Sequence, residues 1–172
     1  MPILTRMAAV AASVLIVAGA ANTASAAPEP QVVGAAFTFD AEAGSHPVNG
    51  RSGSWKAPAS EIMVWEHENI VKIDAEAPNR IDFIRVELNG PGLVQLGVGT
   101  YTDVRSQNSG LDNPGMLVIS NGLGCIDVYG EFVIELIERD ANGRLTALSA
   151  GFTQRCGDPA APVLRGWIVY QD

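Results

Sequence analysis

The chain contains 172 residues, of which 11 are basic and 19 are acidic, so its formal net charge at pH 7 is −8. This balance argues against binding to nucleic acids and to anionic membranes, because neutralising phosphate groups requires clusters of lysine and arginine. Lys56 and Lys72 are the only lysines. We therefore expect an acidic protein that stays soluble and monomeric, since like charge opposes association.

The N-terminus predicts export from the cell. Arg6 precedes an uncharged apolar run over residues 7–20, which is shorter than the roughly 20 apolar residues needed to span a bilayer. Residues 24–26, Ala-Ser-Ala, are typical of a signal-peptidase site. We predict a signal peptide over residues 1–26, cleaved after Ala26, and a secreted, extracellular product without membrane contact. A retained membrane anchor is the alternative.

Cleavage would leave 146 residues with a net charge of −9, because the leader carries Arg6 and no acid. This length fits one domain with a single core. We expect residues 27–34, which begin with Ala-Pro-Glu-Pro, to form a flexible N-terminus. Residues 35–172 then form the domain.

The N-terminal half of the predicted domain reads as strands, because its apolar residues alternate or form short runs between turn residues. The predicted strands are, in order, residues 36–39, 62–65, 70–73, 80–88 and 93–101. Within the fourth of these the alternation changes phase at Phe83 and Ile84, which predicts a β-bulge.

The C-terminal part predicts a hairpin. Residues 131–138 and 145–156 flank Asp-Ala-Asn-Gly at 140–143, and Asn-Gly supplies the positive φ angles of a tight turn. On the second strand one face is shared by Leu148, Ala150, Phe152, Gln154 and Cys156. A last strand follows at 164–170. The fold class predicted from this pattern is all-β, an antiparallel β-sandwich, with a small β-barrel as the alternative.

Cys125 and Cys156 are the only cysteines. In an exported chain the default for such a pair is a bond to each other. The loop that this bond closes predicts a stabilisation of about 3 to 4 kcal/mol. A redox-active pair is the alternative, but the C-x-x-C spacing typical of such pairs is missing.

A resemblance to a known family begins near residue 110. It is carried by Gly124-Cys125, by the G-x-F-x-I run at 130–134, by G-x-L-x-x-L-x-A-x-F-x-Q-x-C-x-G at 143–157, and by 162–170. These segments resemble an uncharacterised family of secreted β-sandwich domains common in actinobacteria. Residues 37–44 and 99–101 are similar to the N-terminal half of that family.

The resemblance implies an extracellular domain with a disulfide between Cys125 and Cys156, and it brings no activity with it. The chain departs from the family pattern at Ile126, where relatives often carry a polar residue. It departs again at Arg155, where histidine is common. Any ligand role of those two positions in relatives does not transfer to this chain.

Catalytic and cofactor motifs are missing from the sequence. His46 and His67 are the only histidines, and neither lies in H-E-x-x-H. The nucleophile elbow and the glycine-rich nucleotide loops are also missing. We therefore predict no cofactor, no catalytic residue and no catalytic metal, and we lean against an enzyme.

Two similar tetrapeptides carry the only metal candidates. Asp40-Ala-Glu42-Ala and Asp74-Ala-Glu76-Ala follow predicted strands, and their oxygens could contribute to a structural calcium site. The simpler interpretation is that these acids occupy ordinary turns.

Aromatic residues supply the candidate ligand contacts, because secreted β-domains bind sugar rings by stacking. Trp55 lies in the polar stretch 51–58, where no core strand is expected, and is the first candidate for an exposed contact. Trp65 and Tyr101 are further candidates. Trp65 and Trp167 lie inside predicted strands, which favours the core as their location.

These observations favour a secreted, non-catalytic domain that binds an extracellular protein partner or an envelope carbohydrate. One alternative is a small glycoside hydrolase that uses two carboxylates, drawn from Glu61, Glu66, Glu68, Asp82, Glu131 and Glu135. The other is a proteinaceous inhibitor of a secreted enzyme, which a protruding loop braced by the disulfide would favour.

Overall fold

Eleven β-strands make up almost all of the regular structure in a computed structural model that describes residues 34–107, 109–110 and 112–172. The strands are β1 (Gly34–Ala41), β2 (Gly53–Lys56), β3 (Glu61–His67), β4 (Ile70–Glu76), β5 (Phe83–Asn89), β6 (Gly99–Ser106), β7 (Gly115–Ser120), β8 (Leu123–Gly124), β9 (Val128–Arg139), β10 (Leu145–Cys156) and β11 (Leu164–Gln171). The all-β prediction is confirmed. The predicted signal peptide, its cleavage site and the following residues up to 33 lie outside this part of the chain.

The helical content of the described residues is one 3₁₀ turn, Pro91–Leu93, between β5 and β6. A helix that could cross the hydrocarbon layer of a bilayer does not occur among these residues.

The strands form one sheet that curls into a nearly closed, barrel-like shape. Their order is β2-β1-β11-β10-β9-β6-β7-β5-β4-β3, and β8 pairs with β7. Every pairing is antiparallel except that of β6 with β7, which covers only Arg105 with Gly115 and Ser106 with Met116. The edge strand β3 comes back close to β1 and β10. The two halves of the sheet therefore enclose one core, as the sandwich and barrel predictions both require.

Alternate residues of each strand fill that core. The predicted inward face of β10 is confirmed, because Leu148, Ala150, Phe152 and Gln154 are buried. The largest fully buried apolar side chains come from both halves of the sheet and from the segment before β6: Phe37, Ile73, Ile84, Leu88, Leu96, Met116, Phe132, Ile134, Leu148, Leu164 and Ile168. Burying each contributes about 1.5 to 3 kcal/mol.

The predicted hairpin is present as β9 paired with β10. Its connection is longer than the two-residue turn that Asn-Gly predicts, and within it only Gly143 has a positive φ, 79°. Asp140 closes the loop, because its Oδ1 accepts hydrogen bonds from the backbone N–H groups of Asn142 and Arg144, both at 2.9 Å. The bond from Arg144 is the main cause of the lowered pKa of Asp140.

The disulfide between Cys125 and Cys156 is confirmed, with the two Cα atoms 5.6 Å apart and a separation of 31 positions in sequence. Cys156 is the last residue of β10 and lies opposite Val128, the first residue of β9. The bond therefore joins the start of one hairpin strand to the end of the other, as the sequence predicts.

The predicted β-bulge at Phe83 and Ile84 is wrong. β5 begins at Phe83 and pairs with β4 and β7 without a register shift. The preceding residues form a turn in which the N–H of Ala77 donates to the carbonyl of Asp82 at 2.8 Å, and Ile81 is 75% exposed. The change of phase in the apolar alternation therefore marks the point where this turn ends and β5 begins.

The predicted strand at 93–101 is also wrong over most of its length. β6 begins at Gly99. Before it, Leu96 alone enters the core, while Val94 and Val98 on either side are exposed. The apolar alternation before β6 therefore comes from a loop in which the side chain of Leu96 is buried in the core.

Arg51 ties three segments together at one end of the barrel. Its Nη1 donates to Asp82 Oδ1 at 2.6 Å and its Nη2 donates to Ser120 Oγ at 2.7 Å. Asn121 Nδ2 donates to the same Asp82 oxygen at 2.9 Å. These bonds join the loop after β1, the β4–β5 turn and the end of β7.

We expect the contribution of Asp82 to stability to disappear in acid. The hydrogen bond from Asn121, with the Arg51 guanidinium, holds the pKa of Asp82 below its usual 3.8. A carboxyl whose pKa is lowered by folding stabilises the protein above its unfolded pKa, and this contribution is lost as the pH falls through the folded pKa. Asp82→Asn should lower the urea midpoint at neutral pH, and its effect should shrink as the pH falls through the folded pKa of Asp82. A midpoint difference that is constant across this range would contradict the assignment.

Candidate ligand-binding groove

The outer faces of five neighbouring strands, β1, β11, β10, β9 and β6, form a groove of about 430 Å³, here named the outer-face groove. Its outward-facing lining residues are Thr38, Asp40, Thr100, Glu131, Val133, Gly151, Thr153, Arg165 and Trp167, and the inward-facing Phe39, Phe132, Phe152 and Gly166 also border it. The groove brings together one large aromatic ring, three hydroxyl groups and three charged groups. These are the groups that recognise polar ligands with an apolar face.

Trp167 covers Gly151 on the adjacent strand. The two residues are direct cross-strand partners, and a Cβ atom at position 151 would overlap Cε3 and Cζ3 of the indole. On the other face of the same two strands, the ring of Phe152 covers Gly166 in the same way. Glycine inside a strand allows this close approach. The Trp167 ring therefore lies against the sheet and forms part of the groove.

The strand register arranges the polar groups in two transverse rows. One row runs across β1, β11, β10 and β9 as Asp40, Arg165, Thr153 and Glu131. The next row extends to β6 and consists of Thr38, Trp167, Gly151, Val133 and Thr100. The aromatic and aliphatic groups thus share one row, beside a row of charges and a hydroxyl.

The three charged groups of the groove differ in how far they are already engaged. Asp40 Oδ1 accepts a hydrogen bond from Ser52 Oγ at 3.0 Å. Arg165 Nη2 lies 3.7 Å from Glu42 Oε1. Within the described part of the chain, Glu131 has no side-chain hydrogen bond or ion pair.

The two carboxylates of the groove are far apart. Asp40 and Glu131 occupy the ends of one row, so their backbones are separated by three strand spacings, roughly 14 Å. Glycoside hydrolases hold their two carboxyl groups about 5 to 9.5 Å apart. The backbone positions of Asp40 and Glu131 therefore do not favour the hydrolase alternative at this groove.

Two of the other acids proposed for a hydrolase are bound to arginines. Glu66 forms hydrogen bonds with Arg139 at 2.6 and 2.9 Å, and Asp82 binds Arg51. Both carboxylate oxygens of Glu66 and one of those of Asp82 are therefore engaged in internal ion pairs.

The expectation that Trp55 is exposed is wrong. It lies on β2 opposite Phe37 and is only 9% exposed. Its ring centroid is 5.2 Å from that of Phe39 and 6.1 Å from that of Phe37. Because β2 has only four residues and polar neighbours, the sequence shows no apolar periodicity from which the core position of Trp55 could be predicted.

Trp65 and Tyr101 do not line the outer-face groove. Trp65 is half-buried on β3, on the opposite side of the strand from the buried Val64 and across from Lys72. Tyr101 stacks on Phe132 with ring centroids 4.6 Å apart, and its hydroxyl donates to the carbonyl of Gly97 at 3.0 Å. The three aromatic candidates therefore do not form one site.

The calcium candidates are dispersed. Asp74 forms two hydrogen bonds with Arg85, both at 2.6 Å, while Glu42 accepts one from the N–H of Val163 at 3.0 Å. Glu76 faces Glu61 across β3 and β4. Over residues 34–107, 109–110 and 112–172, no group of three or more His, Cys, Asp or Glu side chains could hold a metal ion. These contacts do not support the calcium interpretation.

Trp167 is the groove residue that sequence reasoning missed, because its place inside a strand favoured the core. A usable signal was present. In 164–168 the inward positions are Leu164, Gly166 and Ile168, all buried, so Trp167 falls on the other face together with Arg165. Period-two reading alone would have placed the indole outside the core.

A second exposed feature is the disulfide-braced loop, residues 121–127. Ile126 is 90% exposed and follows the disulfide-bonded Cys125. His46 Nε2 lies 2.8 Å from the carbonyl oxygen of Gly124, and the N–H of Gly157 donates to the carbonyl of Asp127 at 2.8 Å. The loop is held on both sides of its exposed isoleucine.

Comparisons with protein-family models, with curated proteins and with solved structures found no match.

Proposed function

We propose that this protein is a non-catalytic extracellular domain that binds carbohydrate in the outer-face groove. The observation that carries the proposal is the indole of Trp167, which lies against Gly151 and forms an aromatic surface between hydroxyl and carboxylate groups. Sugar rings have apolar C–H faces that stack on aromatic rings and hydroxyl edges that bond to polar groups. The groove supplies both kinds of contact.

Rigid support makes this surface suitable for binding. Trp167 is held between paired neighbours, since β11 pairs with β1 on one side and with β10 on the other. A preorganised contact loses less conformational entropy when the ligand binds. Thr38 and Thr100, at the two ends of the same row, place hydroxyl groups on either side of the ring.

We also propose that the protein is secreted. The disulfide suits an oxidising compartment, and the N-terminal leader pattern and the resemblance to secreted actinobacterial domains point the same way. The separated carboxylates favour binding over hydrolysis. An envelope polysaccharide is the ligand class that fits a protein outside the cell.

Trp167→Ala should weaken saccharide binding by at least about tenfold, because central aromatic contacts dominate such interfaces. The measurement is a glycan and polysaccharide array probed with the mature protein, followed by titration of the strongest ligand. Trp65→Ala is the matched control, since Trp65 is another half-buried tryptophan that does not line the groove. Sugar binding should also change tryptophan fluorescence in the wild type and in Trp65→Ala, but not in Trp167→Ala.

Two results would overturn the carbohydrate proposal. One is the lack of binding of the wild-type protein to any saccharide. The other is an equal loss of affinity in the Trp167 and Trp65 variants, because the effect would then not come from the groove.

A second candidate function, inhibition of a secreted enzyme, is favoured by the disulfide-braced loop. An apolar side chain that is 90% exposed on a fixed backbone resembles the preorganised anchors of tight protein interfaces. The same preparation can be titrated against secreted proteases and glycosidases, and loss of any inhibition in Ile126→Asp would assign it to this loop.

A further inference from the structure

Building on the proposed carbohydrate function, we propose that the outer-face groove selects its ligands by charge. It prefers saccharides with a free amino group over their neutral N-acetylated forms and rejects uronic acids. Glu131 is the residue that receives the ammonium group.

The charge of the groove supports this preference. The groove contains two carboxylates, those of Asp40 and Glu131, and one guanidinium, that of Arg165. The positive charge of Arg165 is shared, because Asp40 is its direct cross-strand partner and Glu42 lies 3.7 Å away. The groove therefore has an excess of negative charge, within a chain whose net charge is −8.

Glu131 is the groove carboxylate without a side-chain partner among the described residues, and the next outward residue on β10, Arg155, donates to the carbonyl of Ala161. The neighbour of Glu131 across the row on β10 is Thr153, which has no charge. On the other side β6 is irregular between Tyr101 and Val104, where Asp103 is already engaged with Arg105 at 2.6 Å. Ion pairing to Glu131 is not seen anywhere in the described ranges. A carboxylate in this state binds an ammonium group through a strong, charge-assisted hydrogen bond.

Trp167 favours a cation for an independent reason. An ammonium group over the face of an indole is attracted by the ring quadrupole, and tryptophan is the best side chain for this contact. Trp167 and Glu131 lie on β11 and β9, two strand spacings or about 10 Å apart, and one row apart. A sugar ring together with the glutamate side chain spans this gap, so one amino sugar can stack its ring on Trp167 and place its ammonium group at Glu131. The cation–π contact then comes from a second amino group of the oligosaccharide.

The test uses three oligosaccharide probes of matched length: deacetylated chitosan, N-acetylated chitin and polygalacturonate. Each is titrated calorimetrically into the wild type, Glu131→Gln and Glu135→Gln, in mildly acidic buffer where the amines are protonated. Glu135 is the matched control, because it is exposed on the same face of β9 but does not line the groove.

We expect the chitosan probe to bind about tenfold more tightly than the chitin probe, as one additional charge-assisted hydrogen bond allows, and the polygalacturonate not to bind. Glu131→Gln should abolish the difference between the first two probes, and high salt should reduce it because salt screens exposed charges. Glu135→Gln should preserve it.

Equal affinity for the chitosan and chitin probes, or a preference that survives in Glu131→Gln, would overturn the charge selection and leave carbohydrate binding intact. Tighter binding of polygalacturonate would overturn it as well. Lack of binding of all three probes, together with an empty glycan array, would overturn both proposals.

Discussion

Replacing both cysteines by alanine should lower the free energy of unfolding by about 3 to 4 kcal/mol. The disulfide joins residues 31 positions apart, and a loop of this length restricts the unfolded chain by about that amount in the chain-entropy account. The loss is a large share of the roughly 5 to 15 kcal/mol of unfolding free energy that is typical of a domain. Urea denaturation of the variant Cys125→Ala/Cys156→Ala against the oxidised wild type measures it.

Reduction provides the control for this prediction. A reducing agent should shift the urea midpoint of the wild type toward that of the double variant and leave the variant itself unchanged. If the oxidised and reduced wild-type proteins unfold at the same urea concentration, the disulfide does not stabilise the domain and the prediction fails.

Arg139→Met should destabilise the protein by about 3 to 5 kcal/mol, because it leaves a buried carboxylate without its partner. The side chains of Glu66 and Arg139 are only 7% and 18% exposed. Arg139 Nη2 also donates to the carbonyl of Leu96 at 3.1 Å. The pair thus connects β3, β9 and the segment before β6, which come from both halves of the sheet.

A double variant separates the cost of leaving Glu66 unpaired from the effect of losing the ion pair itself. Glu66→Leu/Arg139→Met removes both charges, and such replacements are often close to neutral. We therefore expect the double variant to unfold at a higher temperature than Arg139→Met alone. A loss below about 1 kcal/mol in the single variant would place the pair among ordinary surface ion pairs.

The parts of the fold that the sequence predicted correctly are local. The β9–β10 hairpin could be read because the turn residues and the alternating face of Leu148 to Gln154 lie within one continuous segment. The disulfide followed from having two cysteines in a chain whose N-terminal pattern predicts export. These features need no knowledge of which distant strands pair.

The errors come from loops and from short strands. The segment before β6 resembles a strand in sequence because the buried Leu96 lies between the exposed Val94 and Val98. Trp55 was predicted to be exposed because its strand has only four residues and polar neighbours. A turn at Arg80 to Asp82 imitates a bulge because Ile81 extends the apolar pattern without being buried. In each case tertiary contacts override a local pattern.

The outer-face groove could not be predicted as a site, because it is made by pairings between strands distant in sequence. Asp40 and Arg165 become neighbours only when β1 pairs with β11. The close approach of Trp167 to Gly151 likewise depends on the register of β10 against β11. The sequence did contain one clue, since a glycine inside a strand marks a place where another group comes close.

The pairing of β1 with β11 has a consequence for how the molecule is made. These strands come from opposite ends of the described chain and pair over eight positions, from Gly34 with Gln171 to Ala41 with Leu164. A chain that leaves a ribosome or an export channel N-terminus first cannot form this pairing until its last strand has emerged. Contacts so distant in sequence also form slowly. The surface around Trp167 is therefore completed only after β11 has emerged and paired with β1.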